Sequence, residues 1–207
     1  GTGTWTKTGG SGNAVFSPNV NSPNATVTVD AYDAYQFTWT EVSNGCLDSD
    51  AVNVNFYEQP VANAGSGGNE CDLNFSLSAT PSAGTGTWTK QSGSGNLSFA
   101  PNANDPNAIV TSDTYGTFTL RWTEVNGTCS DFDDVTVNFN EQPVANAGLG
   151  GDECDLNFSL SAVPSLGTGT WTKTGGSGNA VFSPNVNSPN ATVTVDAYDA
   201  YQFTWTE

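Results

Sequence analysis

An 83-residue repeat constrains the fold of this chain more than any other feature. The heptapeptide GTGTWTK occurs three times, at intervals of 83 residues. Residues 1–41 and 167–207 are identical at all 41 positions, whereas residues 84–124 match them at 25 of 41 positions. The 207 residues therefore hold about 2.5 copies of one structural unit, from an array that alternates two versions of it.

The linker sequence sets the phase of the repeat. A Gln-Pro dipeptide follows a strand-like run at residues 59–60 and again at 142–143. Proline cannot donate to a central β-ladder, so these sites are predicted to be junctions between domains. The boundaries make residues 58–140 a complete repeat, residues 1–57 a partial repeat without its first strands, and residues 141–207 a partial repeat without its last strands. We expect neither partial repeat to bury its core alone.

Each repeat is predicted to be all-β. Leu73–Ala79, Phe118–Trp122 and Val135–Phe139 alternate apolar and polar residues, as half-buried strands do, and turn residues separate them. Seven short strands within about 80 residues are typical of an immunoglobulin-like β-sandwich. The predicted strands of the complete repeat are 60–65, 72–79, 85–90, 96–99, 108–112, 116–125 and 134–140.

Composition excludes several classes of function. Four basic residues against 21 acidic ones give a formal net charge of −17, which argues against nucleic acid or an anionic membrane as a partner. The chain has no His, which excludes His-based catalytic triads and His-bearing metal sites. No apolar run reaches the length of a membrane span. Because Met is also absent, the sequence resembles an internal part of a longer protein.

Several segments together resemble a known class of surface protein. PVANAG, a cysteine before a strand, GTGTWTK, YGTFTLRWTEVNGTC and DVTVNF are similar to the PKD-like and Ig-like tandem modules of secreted Bacteroidota surface proteins. That class includes giant adhesins and gliding adhesins exported by the type IX system. The resemblance implies tandem Ig-like domains at the cell surface or outside the cell. It departs from the usual PKD pattern, because no WDFGDG-type motif follows the third strand.

Four cysteines recur at two equivalent positions, and a secreted context favours disulfides. The candidate cysteines are Cys46, Cys71, Cys129 and Cys154. Pairing of Cys71 with Cys129 inside one repeat is the first alternative. In an Ig sandwich these positions lie at opposite ends, so the second alternative is a staple across each junction, between cysteines 141 residues apart. Free thiols are the third.

Acidic residues flank these cysteines and are candidates for calcium. The candidate ligands are Asp131, Asp133, Asp134, Glu70 and Asp72. If consecutive repeats bring the two clusters together at a junction, several carboxylates would suit Ca²⁺, which takes 6–8 oxygen ligands. The alternative is a solvated acidic surface that keeps identical repeats apart. No other cofactor is expected.

Aromatic residues are predicted to form the core. Trp88, Trp122, Phe75, Phe118 and Phe139 fall on apolar strand faces, and Trp88 stands where Ig folds place a core Trp. Tyr115 precedes the sixth strand, where a tyrosine corner is expected. Tyr115, and Tyr32 with Tyr35 in the first repeat, are the candidates for an exposed sugar-binding surface.

The sequence therefore predicts a non-enzymatic structural stalk of an extended cell-surface fibre or adhesin. Its partners would be neighbouring identical repeats, and possible further partners are surface glycans or other fibres. One alternative is a repeated glycan- or surface-binding module, for which Thr-x-Thr runs and exposed Tyr supply the contacts. A second is a subunit of a laterally assembled extracellular filament.

Overall fold

The computed structural model describes residues 2–207, and every regular element in that range is a β-strand. The described residues contain no helix long and apolar enough to span a membrane. The chain divides into two compact units, Gly1–Phe139 and Asn140–Glu207. The fold class is all-β, with Ig-like sandwich domains, as the sequence predicts.

The first repeat contributes one three-stranded sheet and one hairpin. Its strands are β1 (Thr2–Gly9), β2 (Ala14–Ser17), β3 (Thr26–Val29), β4 (Ala34–Ser43) and β5 (Cys46–Asn55). The sheet has the order β1-β4-β5, and β2 pairs with β3. The two-residue turn Asn44-Gly45 joins β4 to β5, with φ of 49° and 84°, as a type I′ hairpin turn requires.

The complete repeat has seven strands in two sheets. They are β6 (Gly68–Glu70), β7 (Asn74–Ser76), β8 (Thr85–Ser92), β9 (Leu97–Ala100), β10 (Ile109–Ser112), β11 (Gly116–Asn126) and β12 (Cys129–Phe139). One sheet has the order β6-β12-β11-β8 and the other β7-β10-β9. All neighbours are antiparallel except β6 and β12, which run parallel. This arrangement is that of a seven-stranded Ig-like sandwich.

The third repeat has the same strands up to the sixth. They are β13 (Asn157–Ser159), β14 (Thr170–Gly175), β15 (Ala180–Ser183), β16 (Thr192–Val195) and β17 (Gln202–Thr206). The sheets have the orders β13-β16-β15 and β14-β17. The counterpart of β12 would follow Glu207.

The core lies between the two sheets of the complete repeat. Trp88 and Trp122, directly opposite each other on β8 and β11, are each 1% exposed, with ring centroids 5.2 Å apart. Phe118 and Phe139 are buried beside them, and Phe75 packs against the cluster. The prediction that these five aromatic residues form the core is confirmed.

The first predicted strand is wrong. Residues 60–65 form no strand, and the first strand of the repeat is β6. The backbone of this segment is held mainly by side chains: Asp131 and Asp133 accept the N–H groups of Ala62 and Ala64, each at 2.9 Å. Carboxylates thus take the place of a neighbouring strand, which alternation of residue types does not indicate.

Candidate functional site

The linker between the first and second repeats is fixed by contacts on both sides. Before it, the Phe56 N–H donates to the Asp33 carbonyl at 3.0 Å, and the Phe56 ring meets the Tyr35 ring edge-on at 5.6 Å. After it, the Tyr57 ring lies against Gly127, where a Cβ atom would come within 2.3 Å of it. Gly127 has φ of +60° in the tight turn of the β11–β12 hairpin. No other residue would combine that turn with this close approach.

Polar contacts add to this packing. The Asn126 side chain donates to the Glu58 carbonyl at 2.9 Å, and the Gln59 side chain donates to the Ser130 carbonyl at 2.9 Å. Pro60 is fully buried. Residues 126–130, at the turn and the start of β12, thus form a platform on which the linker rests. We call them the junction hairpin.

A buried carboxylate lies close behind the linker. Glu124 is 1% exposed, and it accepts hydrogen bonds from the Ser82 N–H and hydroxyl, the Ala83 N–H and, at 2.9 Å, the Trp122 indole N–H. The Ser82 hydroxyl oxygen also accepts the Val61 N–H at 2.8 Å. We call Glu124 with Ser82, Ala83 and Trp122 the carboxylate clasp. It ties the turn before β8 to β11 and, through Ser82, to the linker.

The hydrogen bonds of the clasp set the charge state of its carboxylate. Burial by itself would raise the pKa of Glu124, but the donors on Ser82, Trp122 and Ala83 outweigh it, so the pKa is lowered. In the third repeat the hydrogen bonds from Ser165 and Trp205 lower the pKa of Glu207 to about 2. Both carboxylates are therefore charged in the folded protein at neutral pH.

All four basic side chains are occupied within the protein. The three lysines, Lys7, Lys90 and Lys173, each donate to a glycine carbonyl in the following turn and lie 5.6–5.8 Å from an aromatic ring centroid. Arg121 forms a two-pronged ion pair with Asp134, at 2.7 and 2.8 Å, and covers the Phe132 ring at 3.6 Å. The surface charge is consequently dominated by carboxylates.

The structure places the candidate calcium ligands at two ends of the sandwich. Asp131, Asp133 and Asp134 lie near the start of β12, whereas Glu70 is opposite Phe139 at its end. Asp131 is thus roughly 27 Å from that end, at about 3.3 Å per residue. Within residues 2–207 no three acidic or cysteine side chains are grouped as metal ligands. A shared calcium site would need carboxylates from consecutive repeats, and it stays a prediction.

Most of these carboxylates have local structural roles. Asp131 and Asp133 bind the segment at residues 60–65, as described above, and Asp134 pairs with Arg121. Asp72 accepts the Asn74 N–H at 2.7 Å, in the turn that precedes β7. The same bond recurs in the third repeat between Asp155 and Asn157, at 2.7 Å.

The four cysteines are free thiols in the structure. Cys71 follows Glu70, which is opposite Phe139, whereas Cys129 begins the same strand ten residues earlier. The two are therefore about 33 Å apart, and a disulfide needs Cα atoms within about 7 Å. Pairing of Cys71 with Cys129 within one repeat is wrong for this fold. The junction staple stays a prediction.

The tyrosines divide into exposed and buried positions. Tyr32, Tyr115 and Tyr198 occupy the same place in the three repeats and are 64%, 44% and 77% exposed. Tyr35, by contrast, is 1% exposed and donates its hydroxyl to the Ala31 carbonyl at 2.9 Å. The expected corner-type hydrogen bond is thus made by Tyr35, and Tyr35 belongs to the core and not to an exposed sugar-binding surface.

The sequence analysis missed the clasp and the linker contacts. A signal for the clasp was present, since Trp-Thr-Glu ends the conserved stretch of all three copies, at Glu41, Glu124 and Glu207. A Ser two residues before GTGTW accompanies the second and third copies. The Tyr57 contact carries no such signal, because the residue at the corresponding place after the second repeat is Asn140.

Comparison with known proteins gives similarity of fold only. No family model matches the chain, and no curated protein sequence is significantly similar to it. A three-domain structure of titin Ig domains I67–I69 is 16% identical, with a TM-score of 0.46, over 99% of this chain and 82% of that one. The N-terminal eight Ig domains of Down syndrome cell adhesion molecule are 13% identical, with a TM-score of 0.47, over 99% of this chain and 36% of that one. Extracellular domains 3–5 of Drosophila OTK are 9% identical, with a TM-score of 0.38, over 99% and 84%.

Proposed function

We propose that the chain is a spacer: a stretch of structural stalk in an extended cell-surface fibre or adhesin. The observation that carries the proposal is the fixed linker, on which Tyr57 packs against Gly127 while Glu58 and Gln59 are hydrogen-bonded to the junction hairpin. Domains joined by free linkers move independently. Contacts of this kind restrict bending and pass tension from one repeat to the next.

The path of the chain through the complete repeat supports the same function. The polypeptide enters at Pro60, beside the junction hairpin, and leaves at Phe139, at the far end of β12. β12 has 11 residues, so entry and exit are separated by roughly 35 Å. Each repeat then adds a similar length in one direction, which is what a stalk requires.

The charge distribution supports an extended fibre. With all four basic side chains occupied internally and a formal net charge of −17, neighbouring copies repel one another. This repulsion opposes pairing between the edge strands of nearly identical repeats. An extracellular, non-enzymatic location and role at the surface of a Bacteroidota cell, without a cofactor, are part of the proposal through the sequence resemblance.

Small-angle X-ray scattering tests the spacer. Recombinant arrays of two, four and six repeats that begin at Glu58 should lengthen linearly, by roughly 35–45 Å per repeat. In the 207-residue chain, Tyr57→Ala should broaden the distance distribution, and Tyr32→Ala, at an exposed position, is the matched control. Compact or laterally associated arrays would contradict the stalk. Loss of extension in EDTA would place calcium at the junctions.

A repeated binding module is the alternative that one observation favours. The exposed ring at Tyr32, Tyr115 and Tyr198 is presented once per repeat. Exposed aromatic rings at regular intervals suit the apolar faces of a polysaccharide. Binding to glycans that rises with repeat number, and that falls when these three tyrosines become Ala, would favour this function over the spacer.

A further inference from the structure

The third repeat has an open cleft where the complete repeat has its last strand. The cleft has a volume of about 530 Å³ and is bounded by residues 148–153, by β17 and by the core residues Phe158 and Val193. In the complete repeat, β12 lies between β6 and β11, the counterparts of residues 151–153 and β17. We call this opening the strand cleft.

We propose that the strand cleft binds β5 of a second copy of this chain, which completes the third repeat in trans. This inference goes beyond the spacer function and does not depend on it. Its basis is that residues 167–207 are identical to residues 1–41, whose own strand partner is β5. The structure of the first repeat therefore shows which sequence fits beside β17.

The register follows from the two pairings already present. β4 places Val54 opposite Tyr35 and Val52 opposite Phe37, so in the cleft these valines would lie opposite Tyr201 and Phe203. β12 places Val137 beside Gly68, so Val54 would lie beside Gly151. The inserted strand would gain a ladder on both edges.

Burial supplies the driving force for the exchange. In the first repeat β5 pairs only with β4, and Val52 is 45% exposed. Its counterpart in the complete repeat, Val135, is 5% exposed, and Val137 and Phe139 are 0% and 1% exposed. Moving β5 into the cleft replaces one pairing by two and buries its apolar face in a closed core.

The geometry of the exchange predicts an open assembly. Each chain has one donor strand, in the first repeat, and one receiving cleft, in the third. Contacts between different surfaces of identical chains are heterologous, and they generate open fibres unless the rotation closes a ring. Copies would therefore associate end to end.

Light scattering coupled to size-exclusion chromatography tests the proposal on the 207-residue chain. The molar mass should rise from 21.5 kDa to that of two or more copies as concentration increases. A synthetic peptide with the sequence of residues 47–57 should return it to 21.5 kDa, and should slow amide exchange at residues 151–153 and 200–206. The same peptide with Val52→Asp and Val54→Asp is the control and should do neither.

Two outcomes would overturn the proposal. A chain that stays monomeric at every concentration would show that no second copy supplies the strand, even if the peptide binds. Association that the peptide does not reverse would show that copies meet through another surface. The measurement requires no substitution in the protein itself, so misfolding of a variant does not confuse the result.

Discussion

The Trp122 indole N–H donates to the Glu124 carboxylate at 2.9 Å, two residues further along the same strand, inside the core of the complete repeat. This contact lets a residue that is 1% exposed keep a negative charge, because Ser82 and Ala83 supply the remaining donors. A buried carboxylate with a full set of donors contributes stability, whereas the same group without them is costly.

Glu124→Gln should destabilise the complete repeat by about 2 kcal/mol, because the amide loses the charge and turns an N–H₂ group toward N–H donors. Urea unfolding followed by Trp fluorescence measures the loss. Glu41→Gln is the matched control: Glu41 is exposed and accepts only the Trp39 indole N–H, at 3.0 Å. Equal effects of the two substitutions would contradict the role of the clasp.

Stability should fall in acid through the same carboxylates. The folded-state pKa of Glu207 is about 2, below the ordinary value of 4.5. Its contribution is therefore fully present above about pH 4.5 and is lost as pH falls toward 2. The pKa of Glu124 is lowered in the same direction. Unfolding measured from pH 7 to pH 2 should show this loss, and Glu124→Gln with Glu207→Gln should flatten it; an unchanged pH profile would refute the assignment.

Gly86→Ala should disrupt the complete repeat, because a Cβ atom there would lie 1.8 Å from the Trp122 ring. The same glycine supports Trp39 at Gly3 and Trp205 at Gly169, which explains the second glycine of GTGTW. Overpacking of this kind costs about 1–3 kcal/mol or more. Gly150→Ala is the control, since its Cβ atom would meet nothing within 4 Å. Thermal unfolding of both variants provides the comparison.

Asp131→Ala combined with Asp133→Ala should release the segment at residues 60–65. Each substitution removes the acceptor of one backbone N–H, at Ala62 or Ala64, and a hydrogen bond of this kind contributes about 1 kcal/mol. Amide exchange at Ala62 and Ala64 should become faster. Asp48→Ala serves as the control, because Asp48 accepts only its neighbour Ser49 N–H; unchanged protection of the segment would disprove the role of the two carboxylates.

Extending the chain past Glu207 with a copy of residues 42–57 should create a disulfide. The added cysteine would lie 141 residues after Cys71, at the position that the junction staple requires. Peptide mapping after oxidative folding should find that bond, and Cys71→Ser should abolish it while Cys129→Ser should not. A bond from Cys71 to Cys129 would contradict the strand register.

The sequence by itself determined the repeat, the all-β class, the number of strands and the aromatic core. These features follow from local residue patterns: side chains alternate along a strand whatever lies beside it, and the repeat is visible in the letters. Trp88 and Trp122 could be assigned to the core because both stand on apolar faces.

Only the tertiary structure decided what the polar residues do. Residues 60–65 look like a strand, yet Asp131 and Asp133, about 70 positions later, hold their backbone instead. Likewise the separation of Cys71 from Cys129, and the burial of Glu124, depend on which strand ends meet. Hydrogen-bond partners and strand register join residues distant in the chain, and a local pattern carries no information about such distances.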